Sequence, residues 1–370
     1  MMKVLVIVNS VFGYDGISNV ATNYYLYQDK KRVSMDLMTI NPVNDSLRAE
    51  LERNGNRNYV LSCRNSNPAK YIRKLTKIIK NNHYDVVHVH GNSATMSVEL
   101  LAAKLGGCKV RIAHSHNTRC NHEKINEVLM PVFSGLYTDC CACSIEAGEF
   151  LFGDKEYYVM NNGLYFEKYR FNDEVRNKIR SEHGLDGKYV VGHIGRFAPQ
   201  KNHTFLFDAF SELLKINKDA ALLLVGEGEL LEDTKAQAAK LGIDDKVIFY
   251  GTTDRVYEVV QAMDVFAFPS IFEGLGIVAL EAQASGLGCV ASTEVPQKAK
   301  CVNNMEFLSL TGNERKWAER LLECGISVEE REKNIDYVKK CFIDSKYDIE
   351  ENCKKIYEYY ESLIIKRRTK

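Results

Sequence analysis

The stretch FPSIFEGLGIVALE, residues 268–281, decides the fold. Its first residue closes a short apolar run, Val265–Phe268, that reads as a strand buried on both faces. A loop then carries Glu273, and Gly274 and Gly276 open a helix that runs through Glu281. The first N–H groups of a helix have no partner within it, and the helix dipole adds positive potential there, so this terminus suits a pyrophosphate. The glycines let the backbone come close to it. Glu273 and Glu281 stand eight residues apart, roughly 12 Å along a helix. That spans a hexose at one end and a ribose at the other, with a diphosphate between. A carboxylate suits both ends because it accepts paired hydrogen bonds from neighbouring hydroxyls.

The same strand-then-helix order repeats on either side. Val4–Val8, Val86–Val89, Val110–Ala113, Val190–Ile194, Ala221–Val225, Val247–Tyr250 and Cys289–Ala291 are short and rich in β-branched residues. They do not alternate with polar residues, which is the pattern of buried parallel strands. Amphipathic stretches lie between them: Ala69–Asn81, Ser97–Leu105, Thr204–Ile216 and Leu231–Leu241. The expected class is therefore α/β with parallel sheets. At roughly 100–200 residues per domain, 370 residues make two. The polar run FEKYRFNDEVRNKIRSEHGLDGK, residues 166–188, marks the boundary. The expected domains are 1–165 and 166–346, both doubly wound and facing a central cleft. The helix at 347–370, ending in Lys366, Arg367, Arg368 and Lys370, is expected to pack back on the first.

Charge narrows the function. Lys plus Arg and Asp plus Glu both number 49, so the polycationic footprint of a nucleic-acid binder is absent. The apolar run Val4–Val8 is too short for a signal peptide, and no run of about 18 apolar residues suggests a membrane span. Eleven cysteines, an odd number without a secretion signal, suggest reduced thiols in a cytoplasmic protein. Cys140, Cys141 and Cys143 have no second ligand cluster at zinc-site spacing and read as small buried residues of a strand.

With its flanks, FPSIFEGLGIVALEAQASGLGCVAS resembles the Glu-x7-Glu signature of glycosyltransferase family 4, whose members are retaining enzymes of the GT-B fold. GRFAPQKN at 195–202 resembles that family's G-R-x4-K loop, and VGEGE at 225–229 its G-x-G turn. FYGTT at 249–253, NNG at 161–163 and the glycine after the first strand, Gly16, match further positions. The resemblance implies a metal-independent glycosyltransferase acting on a nucleotide diphosphate sugar, with no cofactor. It assigns catalytic roles to Glu273, His116, His114, Arg196 and Lys201. It assigns substrate contact to Gly16, Asn162, Gly195, Gly226, Gly251, Gly274, Leu275, Gly276, Ile277 and Glu281. Arg196 and Lys201 would clamp the diphosphate, Glu273 would orient the hexose, and His116 would steady it by a hydrogen bond. The chain departs from the family at Asp15, in place of glycine, at Asn161, in place of proline, and at Gly276, in place of a frequent proline.

The closest flavour, in AHSHNT and LEAQASGL, is that of bacterial capsular and exopolysaccharide enzymes. This implies transfer of a hexose or N-acetylhexosamine, from a UDP-sugar, to a glycan or polyprenyl-diphosphate-linked acceptor. A non-catalytic sugar-nucleotide-binding subunit and a GT-B epimerase are the alternatives. His88, His90, His114 and His116 form two H-x-H pairs at strand ends. Such pairs bind zinc on some strands, but no Asp or Glu nearby completes a set, and no metal site is expected. No Asp-x-Asp occurs, so fixed cations are expected to replace a divalent ion at the diphosphate. Finally, Lys70, Arg73, Lys74, Lys77 and Lys80 alternate at helical spacing with Tyr71, Leu75, Ile78 and Ile79. That basic amphipathic pattern suggests peripheral contact with the inner face of the cytoplasmic membrane.

Overall fold

In the computed structural model, which describes residues 1–13, 16–118, 120 and 123–368, the chain forms two compact units. The first comprises residues 1–165 and 346–370, and the second 166–345. Asp15 and Lys370, both singled out in the sequence, lie outside the described residues.

The first unit is built on β1 (Met2–Val8), β2 (Val33–Thr39), β3 (Asn58–Val60), β4 (Val86–Gly91), β5 (Val110–Ser115), β6 (Asp139–Ala142) and β7 (Tyr158–Val159). The sheet order is β3-β2-β1-β4-β5-β6-β7, parallel throughout. The central strands are apolar because both of their faces are covered. Val4, Val6 and Val8 pack into one layer with Tyr24 and Tyr25, and Leu5 and Ile7 into the other with Leu75 and Ile79. The helix Ile349–Arg368 completes the first layer with Ile349, Cys353, Ile356, Tyr360 and Leu363. Cys140 and Cys141 are buried on β6.

The second unit carries β8 (Tyr189–Ile194), β9 (Ala220–Val225), β10 (Val247–Gly251), β11 (Val265–Phe268), β12 (Gly288–Ser292) and β13 (Met305–Leu308). Its order is β10-β9-β8-β11-β12-β13, again all parallel. Beneath it, Asp264 accepts hydrogen bonds from Arg176, Arg180 and the Val190 amide, joining the helix Asp173–Glu182 to β8 and β11. In a doubly wound sheet, ligands bind beyond the carboxyl ends of the strands where the order reverses. Those points lie between β1 and β4 in the first unit and between β8 and β11 in the second.

Candidate active site

The second unit gathers most of the expected donor residues at its reversal point. The loop after β8 begins with Gly195 and Arg196 and turns through Pro199–Lys201. The loop after β11 carries Glu273. Two hydrogen bonds staple these loops together: Ile271 N donates to Gln200 O at 2.8 Å, and Gln200 Nε2 donates to Phe272 O at 2.8 Å. Lys201 Nζ therefore sits 2.6 Å from Glu273 Oε1, with both side chains largely shielded from water. The same ammonium lies 5.0 Å from the centre of the Phe268 ring. Arg196 instead stands in solvent and pairs with Glu229 at 3.0 Å, a surface contact worth little.

The helix after the loop is Ile277–Ala284. Gly276 caps it in the left-handed region, φ 81° and ψ 55°, with no side-chain cap on its amides. A β-carbon here would lie 2.8 Å from the Phe268 ring. Proline cannot adopt this φ, so this backbone excludes the proline that is frequent in the family. Gly274 is exposed, while Leu275 and Ile277 are half-buried beside the cap. Glu281, one turn into the helix, accepts a hydrogen bond from Tyr169 OH at 2.7 Å. Burial pushes its carboxyl up to about 7, against smaller opposing effects of Tyr169 and Lys168.

Gly226 and Gly251 complete the arrangement. Gly226 N donates to Gly251 O at 2.9 Å, and Gly195 N to Val225 O at 2.9 Å, so the ends of β8, β9 and β10 are joined through backbone. A β-carbon on Gly226 would come 2.1 Å from Gly195 O, which excludes any larger residue.

In the first unit, Gly16 begins the helix Gly16–Tyr27 and Asn162 lies in the irregular segment before the chain leaves the unit. Asn162 Oδ1 is buried without a partner. The four histidines come together on one face of β4 and β5. His90 is in register with His114, and His88 and His116 flank them. His88 Nε2 lies 3.0 Å from His114 Nδ1, and His90 Nδ1 lies 2.8 Å from His116 Nε2. Tyr360, on the terminal helix, holds His88 Nδ1 at 2.6 Å. Burial drives His88 and His116 down to about 3, and His90 and His114 well below 6.5, so all four are neutral imidazoles near pH 7. A cavity of about 270 Å³ lined by His83, Tyr84, Lys109 and Arg367 opens where β4 and β5 begin, away from these strand-end groups.

Sequence reasoning missed the roles of Gln200 and Tyr169. Tyr169 carries no signal of its own, because it meets Glu281 across 112 residues of chain. Gln200 sits inside the quoted 195–202 motif, but its role depends on the partner loop.

Two parallel-sheet α/β units, one presenting a carboxylate–lysine pair and a bare helix N-terminus at its reversal point, define a GT-B-type sugar-transfer protein. A family model described as Glycosyl transferases group 1 matches residues 175–341. A Bacillus subtilis (strain 168) protein that carries the name glycosyltransferase EpsF is 30% identical over 354 residues, 91% of each chain. The UDP-Gal:alpha-D-GlcNAc-diphosphoundecaprenol alpha-1,3-galactosyltransferase of Escherichia coli is 28% identical over 251 residues, 62% of this chain and 64% of that one. Among solved structures, Anabaena Alr3699/HepE in complex with UDP-glucose superposes with a TM-score of 0.73 at 19% identity, covering 98% of this chain and 100% of that one. The chain belongs to the group 1 glycosyl transferases, and it is a glycosyltransferase.

Proposed function

We propose that the enzyme transfers a hexose or N-acetylhexosamine from a UDP-sugar, with retention of configuration, to a glycan or polyprenyl-diphosphate-linked acceptor in surface polysaccharide biosynthesis. The observation that carries this reading is the pair Lys201–Glu273 beside the uncapped helix that bears Glu281. The Escherichia coli relative, whose name gives a UDP-Gal donor and a diphosphoundecaprenol-linked acceptor, supports the donor and acceptor classes. The UDP-glucose complex of the Anabaena neighbour supports the donor as well.

In this reading the diphosphate meets Lys201, Arg196 and the amides at Gly276–Ile277. These are fixed positive groups aimed where charge develops as the nucleotide departs. Lys201 turns from Glu273 toward phosphate, and Glu273 is freed to accept hydroxyls of the hexose. Glu281 accepts the ribose hydroxyls. The bond from the anomeric carbon to the diphosphate breaks as the acceptor oxygen bonds on the same face, and the acceptor's proton passes to the departing phosphate. No divalent ion takes part in this step. Neutral His116 serves as a hydrogen-bond partner of the sugar, with His114 behind it. Gly16 and Asn162 contact substrate through backbone and amide.

The cytoplasmic face of the membrane is the proposed location. No helix among the described residues is long and apolar enough to cross a membrane. The helix Pro68–Asn82 buries Tyr71, Leu75 and Ile79 and leaves Arg73, Lys74, Lys77 and Lys80 exposed. The helix Glu123–Ser134 leaves Ile125, Val128 and Val132 exposed, an apolar ridge suited to a lipid surface.

The test is release of free nucleotide from a panel of UDP-, GDP- and ADP-sugars, with and without lipid-diphosphate glycan acceptors, across a Mg²⁺ series. Acceptor-dependent UDP release that ignores Mg²⁺ supports the reading. Release from GDP-sugars only, or an absolute need for Mg²⁺, defeats it. Sedimentation with anionic liposomes tests location separately, and binding that survives charge reversal at Lys74, Lys77 and Lys80 together with Val128→Asp rejects these two helices.

A further inference from the structure

His88, His90 and His114 bring one ring nitrogen each within 4.8 Å of one another, all buried. The sequence pattern alone predicts no metal here, because no acidic residue stands nearby to complete a ligand set. The fold removes that objection, since three imidazoles already converge, and three protein nitrogens with an open fourth position suffice for zinc.

Simple packing accounts poorly for this cluster. Four neutral imidazoles occupy one sheet face where apolar side chains would bury more cheaply. His114 Nε2 is buried without any hydrogen-bond partner. That atom is the outer nitrogen of His114, whose Nδ1 faces His88, and the outer nitrogens of the other two are held. His88 Nδ1 is held by Tyr360 OH and His90 Nδ1 by His116 Nε2. A metal-binding histidine is oriented in this way, its far nitrogen fixed by an outer group while the near one faces the ion. Parallel pairing keeps the ligands in place: His90 is in register with His114, and His88 precedes it by one side-chain repeat on the same face.

We propose that His88, His90 and His114 form a binding site for a divalent transition metal of the zinc class. With metal–nitrogen bonds of about 2.0–2.1 Å in a tetrahedral arrangement, neighbouring ligand nitrogens lie roughly 3.3 Å apart. The 3.0 Å between His88 Nε2 and His114 Nδ1 needs to open by only a few tenths of an ångström. The Tyr360 hydroxyl stands in the outer shell, 2.6 Å from His88 Nδ1. Among the described residues no carboxylate or thiolate joins the group, so imidazole-preferring metals are favoured over Mg²⁺ or Ca²⁺. The ion ties the ends of β4 and β5 together. Through Tyr360 it also fixes the terminal helix on the first unit. The inference does not depend on the UDP-sugar reading.

The experiment uses the full chain without a histidine tag, freed of metal by chelation, then titrated with Co²⁺ and Zn²⁺. One Co²⁺ per chain is expected, with the visible absorption of a nitrogen-ligated tetrahedral ion, displaced by Zn²⁺. Excess Zn²⁺ is expected to raise Tm. His88→Gln should weaken binding by about 10²-fold or more, and Tyr360→Phe, which keeps every ligand, by about 10–100-fold. Far-ultraviolet circular dichroism checks that each variant is folded. If His88→Gln unfolds, Tyr360→Phe carries the test alone. Absence of stoichiometric binding to the folded wild type overturns the site. So does a thiolate-type Co²⁺ spectrum, or affinity equal to wild type in whichever folded variant is measured.

Discussion

Lys201 and Glu273 neutralise each other at 2.6 Å while largely shielded from water. Removing the lysine leaves the carboxylate without its counter-charge and takes a cation from the diphosphate. Lys201→Ala should lower kcat/KM by about 10²-fold or more, and exposed Arg196→Ala by less, because a shielded donor is stronger than a solvated one. Equal, small losses in steady-state kinetics would remove both from the donor clamp. Glu281 gives a pH prediction with a definite sign. Its folded carboxyl titrates near 7, against 4.5 in an open chain. The folded protein therefore binds this proton more tightly than the unfolded one. The associated stability is present at low pH and is lost as pH rises from 4.5 through 7. A ribose needs the ionised form to accept both hydroxyls. Donor KM should rise as pH falls below 7, while Glu281→Gln should raise Tm at pH 8 and weaken the donor at every pH. A flat donor KM between pH 8 and pH 5.5, with Glu281→Gln no more stable than wild type at pH 8, would contradict this.

At the scale of elements, backbone contacts hold the donor loops beside the Gln200 and Lys201–Glu273 side-chain links. The ends of β8, β9 and β10 touch through Gly195, Gly226 and Gly251. Gly226→Ala drives a methyl group against Gly195 O and must shift the loop that carries Arg196 and Lys201. It should cost about 1–3 kcal/mol in stability, as overpacking does. It should also lower kcat/KM, measured by chemical denaturation and kinetics on the same sample; unchanged values in both would mean the loops are not coupled. Asp264 ties a helix to two strands, and Arg331 lies against the same carbonyls as Arg176, those of Gln261 and Met263. Asp264→Ala leaves Arg176 and Arg180 buried without their counter-ion and should destabilise the second unit by about 3–5 kcal/mol. A loss under about 1 kcal/mol in urea unfolding would show that water replaces the carboxylate.

At the scale of the whole chain, the first unit is discontinuous. Residues 346–370 belong to it although 180 residues of the second unit intervene, from 166 to 345. Ile349, Ile356, Tyr360 and Leu363 fill one core layer against Val4, Val6 and Tyr24. Gly163 lies against Ile349, where a β-carbon would meet that residue's Cα at 2.8 Å. Ending the chain at Lys346 exposes this layer, at about 1.5–3 kcal/mol for each large apolar side chain lost. The truncated protein should be insoluble or melt well below the intact chain, even though every donor residue is retained. A truncated chain with the melting curve of the intact one would show that the layer closes without the helix.

The local sequence determined the strands of the two sheet centres and the loops that follow them. Those strands are continuous apolar β-branched runs, and their identity is written in adjacent residues. β2, VSMDLMT, is not legible as a buried strand because Ser34 and Asp36 interrupt the run, nor is β13, MEFL, because it is short. The eight-residue spacing of Glu273 and Glu281 was equally local, and so was the helix it heralded. The pairing of Glu273 with Lys201, the tyrosine on Glu281, the convergence of four histidines and the seat of the terminal helix were not. Each joins residues far apart in the chain, brought together by strand order and by the layer above the sheet. One chain segment records its own preference for strand or helix, but not which distant segment will cover it. Only the tertiary structure supplies that, because burial and hydrogen bonding are settled between elements rather than within them.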